Sequence, residues 1–213
     1  MDTPAAAPRP RVGRPVDRSG DAAILAAALD LVAERDYDGM ALDEVAARTG
    51  RAKTTIYRRW ATKEDLVLAA IRSAGRPPEA EAEDLPDTGS LRDDLLAVVD
   101  SGWLGGPDRR AAVFAGLAPA MRGSERLARA IRTEVTDPYV EVYGRLLRRA
   151  VARGEAPTRS DAAIAVLAEV VPAMSTQRLA AGRGPVRRAF FVEVIDEVLL
   201  PALGVGVVAG PAG

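Results

Sequence analysis

Arg48-Thr49-Gly50-Arg51-Ala52-Lys53-Thr54-Thr55-Ile56-Tyr57-Arg58-Arg59-Trp60-Ala61-Thr62-Lys63 is the stretch on which the reading of the chain turns. It holds six basic side chains and no acidic one, in a chain whose formal net charge is -1. A basic run is ordinarily a solvated helix face. Here two threonines and two aromatics are interleaved with the charge, and a short helix of that make-up can enter a DNA major groove and clamp phosphates at its margins.

The flanking residues sharpen this reading. Leu42, Val45 and Ala46 form the inner face of a helix from 42 to 49, and Gly50 supplies a sharp turn. A third helix spans 52–60. Two short helices across a glycine turn make a helix-turn-helix, and the basic residues fall on its second helix, the one that enters the groove in such motifs. Ile56 and Trp60 point inward, which leaves Lys53, Thr54, Tyr57 and Arg58 outward. Thr62 and Asp65 form a capping box opening a fourth helix over 63–73, with Leu66, Ala69 and Ala70 inward. Its first turn would set the Lys63 charge beside the groove, where a phosphate could bind. Upstream, Ser19 can cap a helix to Glu34 whose inner row includes Ile24, Ala28, Leu31 and Val32. Tyr37-Asp38-Gly39 ends that segment.

The run from Asp43 to Leu66, DEVAARTGRAKTTIYRRWATKEDL, resembles the signature of TetR-family transcriptional regulators. The matching parts are Val45-Ala46, Gly50, Thr55-Ile56-Tyr57, Trp60, Lys63 and Leu66, after an amphipathic helix ending at Tyr37. The resemblance covers about a third of the chain. Ala41 and Ala52 stand where that family often has Ser or Thr caps, and each missing cap costs about 1 kcal/mol. Arg51 fills a position that is usually aliphatic, so it is expected to project toward DNA. On this reading Lys53, Thr54 and Thr55 approach base edges, with Arg58 and Arg51 as a second tier, while Tyr57, Arg59 and Lys63 hold phosphates.

The rest of the chain is expected to be helical, with no strand alternation. Residues 1–18 read as a flexible basic arm whose Gly-Arg-Pro core resembles an AT-hook. Arg11 and Arg14 would then lie in a minor groove, or the arm is a solvated tail held near phosphates by charge. Residues 19–76 form the DNA-binding head and 77–89 an acidic linker, for which an ordinary solvated loop suffices. Residues 90–205 form the second domain and 206–213 a flexible tail. Helices are expected over 90–104, over 109–121 broken by Gly116 and Pro119, and over 124–153 kinked or split at Pro138. Two more cover 160–181, interrupted at Pro172, and 185–203.

For this all-α architecture, a three-helix head with a helix-turn-helix plus a C-terminal bundle, the resemblance implies effector binding and dimerisation in the bundle. Candidate cavity residues are Trp103, Phe114, Met121, Tyr139, Tyr143, Met174 and Gln177, which are otherwise plain core. The last helix carries more apolar residues than a small packed helix needs. Phe191, Val194, Ile195, Val198 and Leu199 are therefore candidates for a homodimer interface, or else intrachain core.

Composition narrows the function classes. There is no Cys, which excludes disulfides and thiolate metal sites, and no His, which removes the usual general base and the commonest metal ligand. No enzyme activity, metal or cofactor is expected. No apolar run is long enough to span a membrane, and a cytoplasmic location is expected. The expected partners are a double-stranded DNA operator, a second copy of the chain and an unknown small-molecule effector. The expected function is a ligand-responsive repressor acting as a homodimer on a palindromic operator. An activator or dual regulator would use the same head, and a ligand-binding helical protein that does not act on DNA is the remaining alternative.

Overall fold

A computed structural model describes residues 18–75 and 85–206, and their regular structure is all helical, with no strand among them. The arm with Arg11 and Arg14, much of the acidic linker and the tail beyond 206 lie outside the described residues.

Helix α1 spans Arg18–Gly39, so Ser19 falls within its first turn and not before it. Its regular course ends at Asp36, whose backbone turns to φ 64°, ψ 177°. The Asp36 carboxylate accepts a 2.8 Å hydrogen bond from the Gly39 amide and closes the turn. Helix α2 is Leu42–Thr49, ended by Gly50 at φ 62°, a left-handed conformation that glycine adopts without cost. Helix α3 is Lys53–Arg59. Neither Ala41 nor Ala52 offers a side-chain cap, as expected. Helix α4, Lys63–Ser73, opens on the full capping box of Thr62 and Asp65. It buries Leu66, Val67, Leu68, Ala70 and Ile71, a wider face than the row foreseen, because α1 and the later helix Glu125–Ile131 both pack against it.

Helix α5, Leu91–Val99, is capped by Ser90 and stops short of 104; a single 3-10 turn follows at Trp103–Gly105. Helix α6 runs from Pro107 to Gly123 unbroken by Gly116 or Pro119. Glycine at 116 serves packing: a Cβ there would stand 2.3 Å from the Val32 carbonyl oxygen of α1. Helix α7, Glu125–Ile131, passes through a π-helical segment, Arg132–Thr136, into α8, Asp137–Arg153. The split expected at Pro138 is thus a widened turn just before it. Widening relieves the clash between the proline ring and the carbonyl four residues back. Helix α9, Asp161–Ala180, is capped by Ser160 and continuous through Pro172. Helix α10, Arg188–Val194, starts three residues later than expected and meets a second π segment, Ile195–Leu199, ahead of Pro201 in α11, Leu200–Leu203.

Two apolar clusters fill the molecule. The first joins α1–α4 to α6, α7, Trp103 and Leu104; the second joins α5, α8, α9, α10 and α11. The core of the head therefore continues into α6 and α7. The described end of the acidic stretch is likewise built into the fold, and is no solvated loop. Leu85 is buried, and Asp87 pairs with Arg153 at 2.7 Å. Asp94 is fully buried and meets Arg149 at 3.1 Å, Arg153 at 3.0 Å and the Thr88 amide and hydroxyl at 2.6 and 2.8 Å. Burial pushes its pKa up, but the Thr88 hydrogen bonds and the two arginines outweigh this and hold it below the usual carboxylate range.

Two expectations follow from this packing. Asp94→Ala should cost about 3 kcal/mol at neutral pH by removing the buried carboxylate that Arg149, Arg153 and Thr88 share, leaving the two arginines with the more exposed Asp87 and the Glu155 carboxylate. A depressed folded pKa means that the contribution is present above the unfolded value and lost as pH falls through the folded one. The gap between wild type and variant in urea denaturation should then close on acidification. Gly116→Ala should lower stability by about 2 kcal/mol through overpacking. Gly123→Ala on the same helix meets nothing within 4 Å and should leave the melting temperature near wild type.

Candidate nucleic-acid interface and ligand cavity

Burial of Ile56 and partial burial of Trp60 in the head core set the outward face of α3. Thr54, Tyr57 and Arg58 are exposed, Tyr57 to 51%, and Thr55 is half-buried. Lys53 is exposed and pairs with Asp43 on α2. Arg58 makes no ion pair among the described residues.

The other cations of the stretch are held within the head. Arg59 pairs with Asp21 of α1. Arg48 forms a two-pronged pair with Glu34, at 2.8 and 2.5 Å. The Arg51 guanidinium lies against Gly20 of α1, where an added Cβ would meet it at 2.6 Å, so this side chain packs back on the head. Lys63 departs furthest from expectation. Its ammonium donates to the carbonyls of Tyr37, Asp38 and Met40 at 2.8, 3.1 and 3.0 Å and lies 4.8 Å from the Tyr37 ring centre. All three N–H donors are thereby used on the end of α1. The charge offsets the negative end of that helix and leaves no donor for a phosphate.

In the bundle a cavity of about 280 Å³ lies between α6, α7, α8 and α9. Phe114, Met121, Tyr139 and Tyr143 line it. Gln177 lines an adjoining outer basin together with Met121. Trp103 lines neither; its indole N–H donates to the Gly75 carbonyl at 2.8 Å, and its ring packs 6.0 Å from those of Phe114 and Tyr139. Met174 lines neither and is 39% exposed. Burial pushes the phenols of Tyr139 and Tyr143 up, so both are neutral hydrogen-bonding groups at physiological pH. Arg110 also lines the cavity and was not foreseen. Its signal lay in helical spacing, since Arg110, Phe114 and Ala118 share one row of α6.

Of the candidate interface residues, Val194, Ile195 and Leu199 are buried in the second cluster of the monomer and Phe191 lines the cavity, so these four do not form a free surface. Val198 is 38% exposed. The apolar residues that do face outward include Val166, 67% exposed, and Met174, both on α9. Among the described residues no group of acidic side chains could hold a metal ion, and no helix is long and apolar enough to cross a membrane.

The comparisons with known proteins agree with this architecture. Residues 24–70 match the model for bacterial regulatory proteins of the tetR family, and residues 85–198 match a tetracyclin repressor-like C-terminal domain. A DNA-binding transcriptional repressor of Mycobacteroides abscessus is 38% identical over 185 residues, covering 84% of this chain and 91% of that protein. A helix-turn-helix transcriptional regulator of Mycobacterium tuberculosis is 32% identical, covering 89% and 93%. Among solved structures, a TetR-family regulator from Agrobacterium tumefaciens superposes with a TM-score of 0.63 at 20% identity, over 88% of this chain and 97% of that one. One from Mesorhizobium loti gives 0.60 at 20% identity, over 90% and 98%. A helix-turn-helix head whose α3 presents Thr54, Tyr57 and Arg58 outward, joined to a bundle with a matching C-terminal model, establishes that the chain belongs to the TetR family of DNA-binding transcriptional regulators and is not an enzyme.

Proposed function

We propose that this regulator is a ligand-responsive repressor that binds a palindromic operator as a homodimer. The observation that carries the proposal is a hollow bundle sharing helices with the head. Helix α6 lines the cavity and also packs on α1 at Gly116 and through Arg109, which meets Asp30 at 2.6 Å. Helix α7 lines it too and is tied to α4. Arg126 meets Glu64 at 3.0 Å and Asp65 at 2.6 Å, and Ser124 donates to Glu64 at 2.7 Å. In the π segment that follows, Glu134 meets Arg72 at 2.5 Å. A ligand that binds one cavity shape better than another would shift α6 and α7, and with them the head. The repressor from Mycobacteroides abscessus supports repression as the output.

One short recognition helix makes few base contacts, so specific binding calls for two copies on two half-sites. The surface that suits pairing is the outer face of α9 with Val198. Ala162, Val166, Ala173 and Met174 are exposed there in helical register, and small residues let a symmetry-related helix approach closely. On α3, Lys53, Thr54 and Thr55 remain the proposed base-reading residues, with Arg58 beside them and Tyr57 on a phosphate. Arg51, Arg59 and Lys63 are proposed to brace the head.

Selection of bound fragments from random DNA tests the whole reading, since it returns half-site and spacing together. Two inverted half-sites support it; a single half-site, or no enrichment, overturns the dimer. Lys53→Ala should change which operator is preferred, whereas Tyr57→Phe should weaken all sequences alike by about 1 kcal/mol, with the salt dependence of binding unchanged because no charge is removed. Lys63→Ala should behave differently from both. It removes three hydrogen bonds to the end of α1, and thermal denaturation should show a loss of about 2 kcal/mol. Any loss of operator affinity should then track the unfolded fraction.

A further inference from the structure

The charged residues lining the cavity are Arg110 and Arg122; no carboxylate lines it. Arg110 sits on the inner wall and is 7% exposed. Its guanidinium donates to the Val99 carbonyl and, at 3.4 and 3.3 Å, to the carbonyl and hydroxyl of Ser101. All three acceptors are neutral, and no carboxylate pairs with Arg110 among the described residues. Asp100 feels its charge but is held by Arg188 at 2.7 and 2.9 Å. Other guanidinium groups are answered by acids, Arg109 by Asp30 and both Arg149 and Arg153 by Asp94; Arg145 and Arg178 also carry buried nitrogens without a partner, but neither lines the cavity. A cation turned inward without a counter-charge is costly, and is retained where something completes it.

A second observation points to the same place. Tyr139, on α8, also lines the cavity, and its buried hydroxyl has no partner of good hydrogen-bond geometry, its one polar neighbour being the Ser101 side chain that Arg110 also approaches. Arg110, bonded only to neutral oxygens, and the Tyr139 phenol thus bring two donor groups to the cavity from two helices. From them Phe114 and Met121 extend an apolar strip along α6, about 17 Å from Arg110 to Met121 at the helical rise. The outer basin adds Arg129 and Arg132 against Glu125, a net positive approach.

We infer that the cavity binds a small amphipathic carboxylate, its two oxygens on Arg110 and the Tyr139 hydroxyl and its apolar body against Phe114 and Met121. One guanidinium and one phenol match the single charge and two oxygens of a carboxylate. A phosphate would bring more charge into an apolar chamber than these groups neutralise. The inference rests on the reading that this cavity is the effector site.

The test uses the full-length protein and two matched sets of probes: phenylbutyrate with its amide and phenylbutylamine, and octanoate with octanamide. Calorimetric titration should show at least one acid binding about tenfold or more tightly than its amide, with no binding of the amine. Arg110→Gln should bring the acid down to the level of the amide, and Arg110→Lys should keep part of the preference. Equal binding of acid and amide by wild type overturns the inference, and so does binding of the amine or no binding of any probe at millimolar concentration. The wild-type comparison decides even where a variant fails to fold. An acid preference that survives Arg110→Gln also overturns it. Gel shifts with the bound acid separate the two readings. An acid that binds as described yet leaves operator affinity unchanged sinks ligand-responsive repression and leaves the cavity's specificity standing.

Discussion

The carbonyl of Val32 occupies the place where a side chain at position 116 would stand, and the arrangement of head and bundle depends on that contact. With only hydrogen at 116, α6 lies directly on α1. The crossing falls beside Asp36, whose φ of 64° and ψ of 177° belong to a region used almost solely by glycine, and such a conformation costs about 1–3 kcal/mol. The strain is tolerated because the Gly39 amide hydrogen bond and the packing of α6 both hold it in place. The opposite side of α6 lines the cavity. One helix is therefore the wall of the chamber and the support of the head, and neither surface can shift without the other feeling it.

The helix-turn-helix was legible because its signals are local. The glycine turn and the Thr62–Asp65 box each fix backbone geometry within a few residues, and the structure places α2 and α4 where those signals put them. The partners of the cations were not legible, because they lie far off in sequence. The acceptors of Lys63 are 23 to 26 residues away, and Arg59 reaches back to Asp21. Helical spacing states which way a side chain leaves its own helix. What it meets there depends on how α1 folds back across α3 and α4.

In the bundle, the positions of the helices were readable and their phase was not. Val194, Ile195 and Leu199, read from the surplus of apolar residues on the last helix as a homodimer interface or else intrachain core, are core of the monomer. The π segment at Ile195–Leu199 shifts the phase only of the residues that follow it. An extra residue in one turn rotates everything after it by about 100°, so a row counted at 3.6 residues per turn drifts onto another face. Pro201 lies just beyond this segment and Pro138 just beyond the other, so each proline marked an irregularity that begins before it. Pro119 and Pro172 lie inside helices that continue through them, which shows that proline alone does not settle the matter.

One physical criterion sorts the arginines and lysines across the whole molecule: what each must give up to meet a new anion. Lys53 and Asp43 are both more than half exposed, and a pair of that kind is worth less than about 1 kcal/mol, so a phosphate or a base edge can displace the aspartate at small cost. Lys63 would have to abandon three carbonyls that close α1, and Arg153 would have to leave a buried aspartate. These two are structural in spite of their charge. Arg110 stands at the other extreme, dehydrated by its surroundings and bonded only to neutral oxygens, so an anion entering the cavity displaces no counter-charge from it. Local charge density, which first drew attention to Arg48–Lys63, ranks these side chains poorly. The cations free to act on a partner are those whose present contacts are cheap to exchange or incomplete, and by that measure the outward edge of α3 and the inner wall of the cavity stand apart from the basic residues around them.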